Sequence, residues 1–176
     1  AQGGHVLLQR AAAIQTDGRA ITVQASGSVV LGLLDARTAA ARTAGDLTAQ
    51  TTWGTVSVTA AAGGITDTPQ DGEVDIYANG VALSTATKVG ELAADGVANP
   101  IETEAVTLTT GPTATGSINI LEATDVTVID INSGASGGIV IRTVSGSLTV
   151  QDGADVETVT GVSIGGTGNI LLDARG

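Results

Sequence analysis

Aliphatic residues recur along most of the chain in pairs that are separated by a single residue. The separating residue is mostly short and polar, as in Ile21-Thr22-Val23. A period of two residues is typical of a short strand that buries one of its faces. The pattern therefore predicts an all-β protein. The pairs are Val6/Leu8, Ile21/Val23, Val29/Leu31, Val56/Val58, Val74/Ile76, Val106/Leu108, Ile118/Ile120, Val126/Val128, Ile139/Ile141, Leu148/Val150, Val162/Ile164 and Ile170/Leu172.

The spacing of the pairs predicts how the strands stack. In the last third of the chain, two interleaved series step by 21 to 23 residues: Ile118/Ile139/Val162 and Val126/Leu148/Ile170. In the N-terminal part, two series step by 25 to 27 residues: Ile21/Leu47/Val74 and Val29/Val56/Val81. A common step in two series indicates a repeat with at least two strands per turn. We predict a single-stranded parallel β-helix (a β-solenoid), with coils of about 22–27 residues.

An antiparallel sandwich or barrel is the alternative fold, because turn signals such as Asn79-Gly80 are frequent. Two features favour the β-helix. The spacing of the strands alternates between short and long, whereas a sandwich tends towards even spacing. A whole pentapeptide also recurs, as Leu33-Leu34-Asp35-Ala36-Arg37 and Leu171-Leu172-Asp173-Ala174-Arg175.

The whole chain, residues 1–176, is predicted to be one β-solenoid segment with one interruption. The stretch from Ser84 to Glu104 lacks strand alternation and contains Pro100, so we predict a loop excursion there, with a helical turn at Glu91–Ala94. The alanine-rich stretch Ala39–Ala44 predicts a short helical turn in a corner between strands.

Composition limits the kind of core and the kind of partner. The chain has one Trp, one Tyr and no Phe, so its core must be built from Val, Ile, Leu and Ala. The net charge of -11 argues against nucleic acid as a partner and against docking on an anionic membrane. The chain contains no run of about 18 apolar residues, so no membrane-spanning helix is predicted. With no Cys there is neither a disulfide nor a thiolate metal site.

Several glycine-led segments resemble the coils of filamentous-haemagglutinin-like proteins, which are large bacterial surface adhesins and exoproteins. The segments are Gly27–Leu31, Gly116–Ile120, Gly146–Val150 and Gly168–Ala174. The resemblance covers most of the chain apart from Ser84 to Glu104. It implies a right-handed parallel β-helix, export across the outer membrane, and a role in adhesion, biofilm formation or contact-dependent competition. The segment looks like an interior piece of the shaft, and the absence of Met at position 1 predicts that it begins inside a longer reading frame or after processing.

Candidate catalytic chemistry is sparse. His5 is the only histidine and has no partner of its kind for a metal site or a catalytic base. Polysaccharide cleavage would need two acids at a fixed separation, for which Asp125 and Asp130 or Asp152 and Asp155 are candidates. It would also need aromatic platforms for sugar, and the chain has only Trp53 and Tyr77, which we expect to plug a coil end or a corner. We therefore expect no enzyme and assign no catalytic, cofactor-binding or metal residues. A carbohydrate-active β-helix, such as a polysaccharide lyase or a tailspike-type depolymerase, is the alternative.

Calcium is the one cofactor that the acidic turns suggest, and no calcium-binding motif supports it. Asp152 with Asp155 and Glu157, or Asp67 with Asp71 and Glu73, could gather oxygen ligands in a turn, but neither set has EF-hand or β-roll spacing.

Hydroxyl residues alternate in Thr107-Leu108-Thr109, as on an ice-binding face. We expect no such face, because the outward residue changes from Asp75 to Asn119 to Arg142.

The two ends of the predicted stack suggest assembly. A strand begins near His5 and another ends near Ala174, and no polar helix covers either end. Open rungs invite pairing with further strands, and solenoids need caps for solubility. We expect flanking coils of a larger chain, or end-to-end self-association into a filament. The predicted function is a shaft or display segment of a secreted or cell-surface bacterial adhesin-like protein, with a host or cell-surface glycan or protein as a further partner.

Overall fold

The aliphatic pairs form short strands, as their spacing predicts. The computed structural model describes residues 3–68, 72–92, 98–111, 116–134, 137–152 and 161–176. Helix α1 spans Ala39–Ala44, and a 3-10 helix spans Gln50–Thr52. The strands are β1 (Val6–Leu7), β2 (Ala13–Gln15), β3 (Ile21–Ala25), β4 (Val29–Leu31), β5 (Leu33–Asp35), β6 (Val56–Ala60), β7 (Ile65–Asp67), β8 (Ile76–Thr85), β9 (Ile101–Thr110), β10 (Ile118–Glu122), β11 (Val126–Ile129), β12 (Ile131–Ser133), β13 (Ile139–Thr143), β14 (Leu148–Gln151), β15 (Val162–Ile164) and β16 (Ile170–Asp173).

The paired strands of the described residues run parallel to one another. Each strand lies in register with a strand from an earlier or a later part of the chain, as Val126 does with Leu148. A single antiparallel bridge, between Glu91 and Asn99, is isolated from these ladders. The prediction of an all-β, parallel arrangement is confirmed, and the antiparallel sandwich or barrel is wrong.

Apart from β12 and β15, which pair with each other in a separate two-stranded sheet, the described strands form three stacks, which we name by their order along the chain. The first stack brings into register Val6, Val29, Ile65, Val89, Ile118, Ile139 and Ile170. The second stack brings into register Ile14, Leu34, Ile76, Thr103, Glu122 and Thr143. The third stack brings into register Ile21, Val56, Val81, Leu108, Val128 and Val150. We call one passage of the chain through the stacks a level. The chain therefore visits the first, second and third stacks in the same order at successive levels.

The core consists of the aliphatic side chains that alternate with outward residues on these strands. They form one cluster that extends through the three stacks. Burying one such side chain stabilises a fold by roughly 1.5–3 kcal/mol, which is how a chain almost without aromatics builds a core. The largest fully buried side chains are Leu31, Leu34, Ile65, Ile76, Leu83, Ile101, Leu108, Ile118, Ile120, Ile131, Ile139 and Ile141.

The register predicted for the C-terminal part is correct at its start and wrong at its end. Ile118 pairs with Ile139, as expected. Ile170 pairs with Ile139 rather than with Leu148, and Val162 pairs with Ile131. The error arises because 31 residues separate Ile139 from Ile170, against 21 between Ile118 and Ile139.

The N-terminal register is correct for the step from Val56 to Val81 and shifted from its prediction at the preceding steps. Ile21 pairs with Val56 rather than with Leu47, and Val29 pairs with Ile65. The cause is a long connection between β5 and β6 that holds α1 and the 3-10 helix. Helix α1 has the predicted bounds. Thr38 caps its N-terminus by accepting a hydrogen bond from the Ala41 amide, and Gly45 ends it at a φ of 62°.

The excursion predicted from Ser84 to Glu104 is narrower in the structure. Strand β8 extends through Thr85, and β9 begins at Ile101. Between them, Val89 pairs with both Ile65 and Ile118 and so belongs to the first stack. The predicted helical turn is wrong at Glu91, which lies in the bridge to Asn99, and residues 93–97 lie outside the described part.

Candidate functional site

Three acidic side chains meet at the edge of the second stack. Asp67 is the last residue of β7, Asp75 precedes β8, and Glu102 is the second residue of β9. Their carboxylate oxygens lie within 4.8 Å of one another, and each residue is at most 9% exposed. The pairing of β8 with β9 brings Glu102 to Asp75 across 27 residues of sequence, and Asp67 meets them from the end of β7.

Burial controls the charge of this group, which we call the carboxylate cluster. Burial raises the pKa of Asp75 well above its ordinary value. The amide of Glu102 donates a hydrogen bond to Asp75 Oδ2 at 3.0 Å and opposes the shift, while the negative charges of Asp67 and Glu102 add to it. Asp75 therefore keeps a proton at neutral pH. Such a group can share protons among its members, and its oxygens are also ligands that a hard divalent cation prefers.

The predicted calcium candidates do not coincide with this cluster. The structure brings Asp67 to Asp75 and Glu102, while Asp71 lies outside the described residues. Glu73 lines a small pocket of about 110 Å³ together with Asp67 and Asp75. Of the second candidate set, Asp155 and Glu157 also lie outside the described residues.

A second pair of buried acids lies further along β9 and β10. Glu104 Oε1 accepts hydrogen bonds from Gln50 Nε2 at 2.5 Å and from Thr124 Oγ1 at 2.7 Å. Glu122 accepts from Thr103 Oγ1 at 2.6 Å and from the Ala105 amide at 2.9 Å.

The environment of Glu122 keeps it protonated over much of the neutral range. Burial raises the pKa of Glu122 to about 8, against the opposing hydrogen bonds from Thr103 and Ala105 and with support from the negative charge of Glu104. A neutral Glu122 suits its place in the core, because an ionised carboxylate there would be costly.

The two aromatic residues lie together in a packed corner. Trp53 is 4% exposed, and its ring meets that of Tyr77 edge to face, with 6.2 Å between centroids. Arg37 covers the ring of Tyr77 and also binds Asp35, which has a second ion pair with Arg42. The expectation that Trp53 and Tyr77 plug a corner agrees with this arrangement.

The ion pairs also set the protonation of Asp35. Burial raises the pKa of Asp35, but hydrogen bonds from Arg37 and Arg42 outweigh that effect, so the pKa lies below its ordinary value.

The remaining sequence candidates have local structural roles. The imidazole Nδ1 of His5 accepts a hydrogen bond from the Ser28 amide at 3.0 Å. Asp125 Oδ1 accepts from the Ser147 amide at 2.6 Å and so fixes a turn of the neighbouring level. Asp130 occupies the left-handed backbone region at a φ of 52°, between β11 and β12.

The outward side of the third stack is uncharged. Its residues alternate with buried ones, and most of them carry a hydroxyl group. They are Thr22, Gln24, Ser57, Thr59, Ala82, Ser84, Thr107, Thr109, Thr127, Ile129, Thr149 and Gln151. We call this surface the hydroxyl face. An open groove of about 420 Å³ adjoins it and is lined by Gln50, Thr51, Val106, Thr124, Asp125, Val126, Thr127, Ser147 and Thr149.

The three residues that count against a regular hydroxyl face in the sequence, Asp75, Asn119 and Arg142, lie outside the third stack. Asp75 precedes the start of β8 at the second stack, and Asn119 and Arg142 lie in β10 and β13. They therefore do not interrupt the hydroxyl face, whose own regularity is broken at Ala82 and Ile129.

Comparisons with known proteins add no assignment. No protein-family model, curated protein or solved structure matches the chain. Among the described residues, no helix has both the length and the apolar character needed to cross a membrane.

Proposed function

We propose that this chain is a structural shaft or display segment of a secreted or cell-surface bacterial adhesin-like protein, wound as a single-stranded, right-handed parallel β-helix. The observation that carries the proposal is the repeated order of the three stacks. Seven successive positions of the first stack, from Val6 to Ile170, are in register, and the chain passes through the other two stacks between them.

Such a winding suits a shaft for a physical reason. Backbone hydrogen bonds between levels run along the axis, so every level is held by the levels above and below it. Six steps of about 4.8 Å give the segment a length of about 30 Å. Further levels of the same kind would lengthen the rod without a new kind of core.

The surface supports a display role. The hydroxyl face presents mostly short, uncharged side chains from successive levels, and the connection between β5 and β6 adds α1 to the surface beside the strands. A glycan or a protein of a host or neighbouring cell is the partner that we propose for the assembled shaft. The resemblance of the glycine-led segments to filamentous-haemagglutinin-like proteins supports an extracellular location.

The ends of the stacks support assembly with further strands. Ile170, Leu171 and Leu172 of β16 are 46%, 49% and 37% exposed, and Leu7 of β1 is 67% exposed. Apolar edge strands of this kind favour pairing with another strand. We propose that flanking turns of a larger chain, or copies joined end to end in a filament, cover these edges.

A carbohydrate-active β-helix is the second candidate, because the groove of about 420 Å³ places Asp125 among hydroxyl and amide side chains. The shaft is preferred because the two aromatic residues are committed to the packed corner with Arg37, so neither offers a free platform for sugar.

Immunolabelling tests the proposal. Antibodies raised against the purified segment should label intact cells that produce the full-length protein. Labelling that appears only after the cells are made permeable would overturn the proposed location and role. Release of reducing ends from a panel of polysaccharides by the full-length protein would favour the enzyme instead.

A further inference from the structure

The recurring pentapeptide lies in two strands of one sheet, β5 and β16, and only its first copy is covered on both sides. Leu33–Arg37 includes β5, which lies between β2 and β8. Leu171–Arg175 includes most of β16, which pairs with β13 on one side. No strand of the described residues pairs with the other side of β16. The first copy therefore shows what covers this sequence when a further strand is present.

Strand β8 covers the first copy with an aliphatic residue followed by an aromatic one. Ile76 pairs with Leu34, and Tyr77 pairs with Asp35. The amide of Leu34 donates to the Asp75 carbonyl at 2.8 Å, and the amide of Ala36 donates to the Tyr77 carbonyl at 2.9 Å.

Side chains complete the contact between β5 and β8. Arg37 donates from Nε to Asp35 Oδ1 at 3.0 Å, and its guanidinium carbon lies 3.7 Å from the centre of the Tyr77 ring. Leu34 and Asp35 are fully buried as a result. The pentapeptide thus offers two contacts to the covering strand: Leu34 for the aliphatic residue, and the guanidinium of Arg37 for the aromatic ring.

The second copy keeps the contact between arginine and aspartate without the cover. Arg175 donates from Nε to Asp173 Oδ2 at 3.0 Å, the same distance as in the first copy. The side chain of Arg175 is 63% exposed, that of Asp173 is 33% exposed, and Leu172 is 37% exposed. Asp173 therefore already positions Arg175, and the place over Leu172 that corresponds to that of Ile76 over Leu34 is open.

We infer that the open side of β16 binds a parallel β-strand that carries an aliphatic residue opposite Leu172 and an aromatic residue opposite Asp173. The aliphatic residue fills the place that Ile76 has over Leu34. The aromatic ring lies against the guanidinium of Arg175, as Tyr77 lies against Arg37, and a cation over a ring face is attractive. The amides of Leu172 and Ala174 donate to this strand as those of Leu34 and Ala36 donate to β8.

This inference deepens the proposed function, on which it rests, because it names the chemistry of the strand that extends the shaft at this end. The N-terminal edge of a second copy fits less well. Its β1 (Val6–Leu7), which begins the first stack that β16 ends, and its β2 (Ala13–Gln15) bring no aromatic residue to Arg175. The occupant is therefore a strand with an aliphatic-aromatic pair, of which the sequence around Ile76 and Tyr77 is the example within this chain.

A peptide titration tests the inference. The probe is an acetylated and amidated octapeptide with the sequence of residues 73–80, added to the purified, ¹⁵N-labelled protein. We expect saturable amide shifts that are confined to β16 and its neighbours. Replacing the tyrosine of the peptide by alanine should weaken binding by about five-fold, and Arg175→Ala in the protein should weaken it by a similar factor. Arg10→Ala, an exposed arginine between β1 and β2, is the matched control and should leave binding unchanged.

The outcomes are distinct. Absence of saturable shifts, or equal binding of the tyrosine and alanine peptides, would overturn the inference. Self-association at β16 that the peptide does not displace would assign the edge to a second copy and also overturn it. The titration uses purified protein and does not depend on cellular location, so its failure is distinguishable from a failure of the immunolabelling that tests the proposed function.

Discussion

The guanidinium of Arg37 lies 3.7 Å from the centre of the Tyr77 ring, one level away in the second stack. The same arginine forms an ion pair with Asp35, and the edge of Trp53 meets the ring from another side. The long connection between β5 and β6 is thereby attached to the stack. One aromatic ring thus joins an ion pair, an inserted segment and a strand of the next level.

Truncation of this ring should destabilise the protein, whereas loss of its hydroxyl should not. Tyr77→Ala removes the surface on which Arg37 and Trp53 pack, and we expect the free energy of unfolding to fall by about 3 kcal/mol. Tyr77→Phe keeps the ring and serves as the matched control, with an expected change below about 1 kcal/mol. Urea unfolding measures both. Equal losses in the two variants would contradict the role assigned to the ring.

The two aspartates of the recurring pentapeptide should differ in their contribution to stability. Asp35→Asn leaves the partly buried Arg37 and Arg42 without a carboxylate, and we expect a loss of about 3 kcal/mol in the free energy of unfolding at pH 7. Asp173→Asn alters an exposed pair and should cost less than about 1 kcal/mol.

The effect of Asp35 also has a pH dependence. Because the pKa of Asp35 is lowered in the folded protein, its ionised form stabilises the fold above its ordinary pKa of 3.8. That contribution is lost as pH falls through the lower, folded pKa. The difference between wild type and Asp35→Asn should therefore shrink in acid. A constant difference from pH 7 to pH 2 would be inconsistent with the ion pairs.

Glu122 should make the protein less stable as pH rises. Its pKa rises from 4.5 to about 8 on folding, so the folded state holds a proton that the unfolded state releases in this range. The free energy of unfolding should therefore fall by about 1.4 kcal/mol per pH unit between these two values from this group alone. Glu122→Gln should remove that slope.

A second variant checks the cause of the Glu122 shift. Glu104→Gln removes a negative charge that raises the pKa of Glu122, so the range of falling stability should end at a lower pH. Urea unfolding at a series of pH values from 4 to 9 measures these slopes. An unchanged slope in Glu122→Gln would mean that the carboxyl is already ionised in the folded state.

The close approach of two levels at Gly54 leaves no room for a side chain. A Cβ atom built there would lie 2.1 Å from the carbonyl oxygen of Arg19. We expect Gly54→Ala to lower the free energy of unfolding by about 2 kcal/mol, because backbone must move to relieve the clash. At Gly4 the nearest atom to such a Cβ is 3.7 Å away, so Gly4→Ala should stay within about 0.5 kcal/mol of wild type. Thermal unfolding compares the two, and a tolerated Gly54→Ala would argue against the stacking of this corner on Arg19.

Paired cysteines can test the register near the C-terminus, since the chain has no cysteine of its own. Asn132 and Ser163 are partners in the β12–β15 ladder, so Asn132→Cys with Ser163→Cys should form a disulfide on mild oxidation. The repeat step read from the sequence would instead place Val140 beside Ser163, and Val140→Cys with Ser163→Cys is the control that should stay reduced. If only the control pair formed a disulfide, the register predicted from the sequence would be correct and the β12–β15 register would be wrong.

The parallel stacks could be predicted from the sequence because their cause is local. Alternation around residues such as Val126 and Leu148 marks which strands are half-buried, and a common step implies that they stack. The registers of Val29 and Ile170 could not be predicted, because connections of unequal length intervene and their lengths do not affect the strands themselves. Corner loops of a stacked structure can lengthen without changing the levels on either side.

The carboxylate cluster gave no signal in the sequence for a different reason. Asp75 and Glu102 are 27 residues apart and meet only because β8 and β9 are adjacent in the second stack. The sequence pattern groups Asp67 with its near neighbours Asp71 and Glu73, whereas the structure places it beside Asp75 of the same level and Glu102 of the next. Placing these acids together would have required the register, which depends on the lengths of the connections.

The protonated acids of the interior change the electrical behaviour of the whole molecule. The formal charge of -11 counts every aspartate and glutamate as ionised. The protons that Asp75 and Glu122 still carry in neutral solution change this formal charge from -11 to about -9 from these two groups alone. Unfolding at constant neutral pH must then release about two protons to the buffer, so the heat of unfolding should vary with the ionisation enthalpy of the buffer, and the native protein should migrate more slowly towards the anode than its formal charge implies.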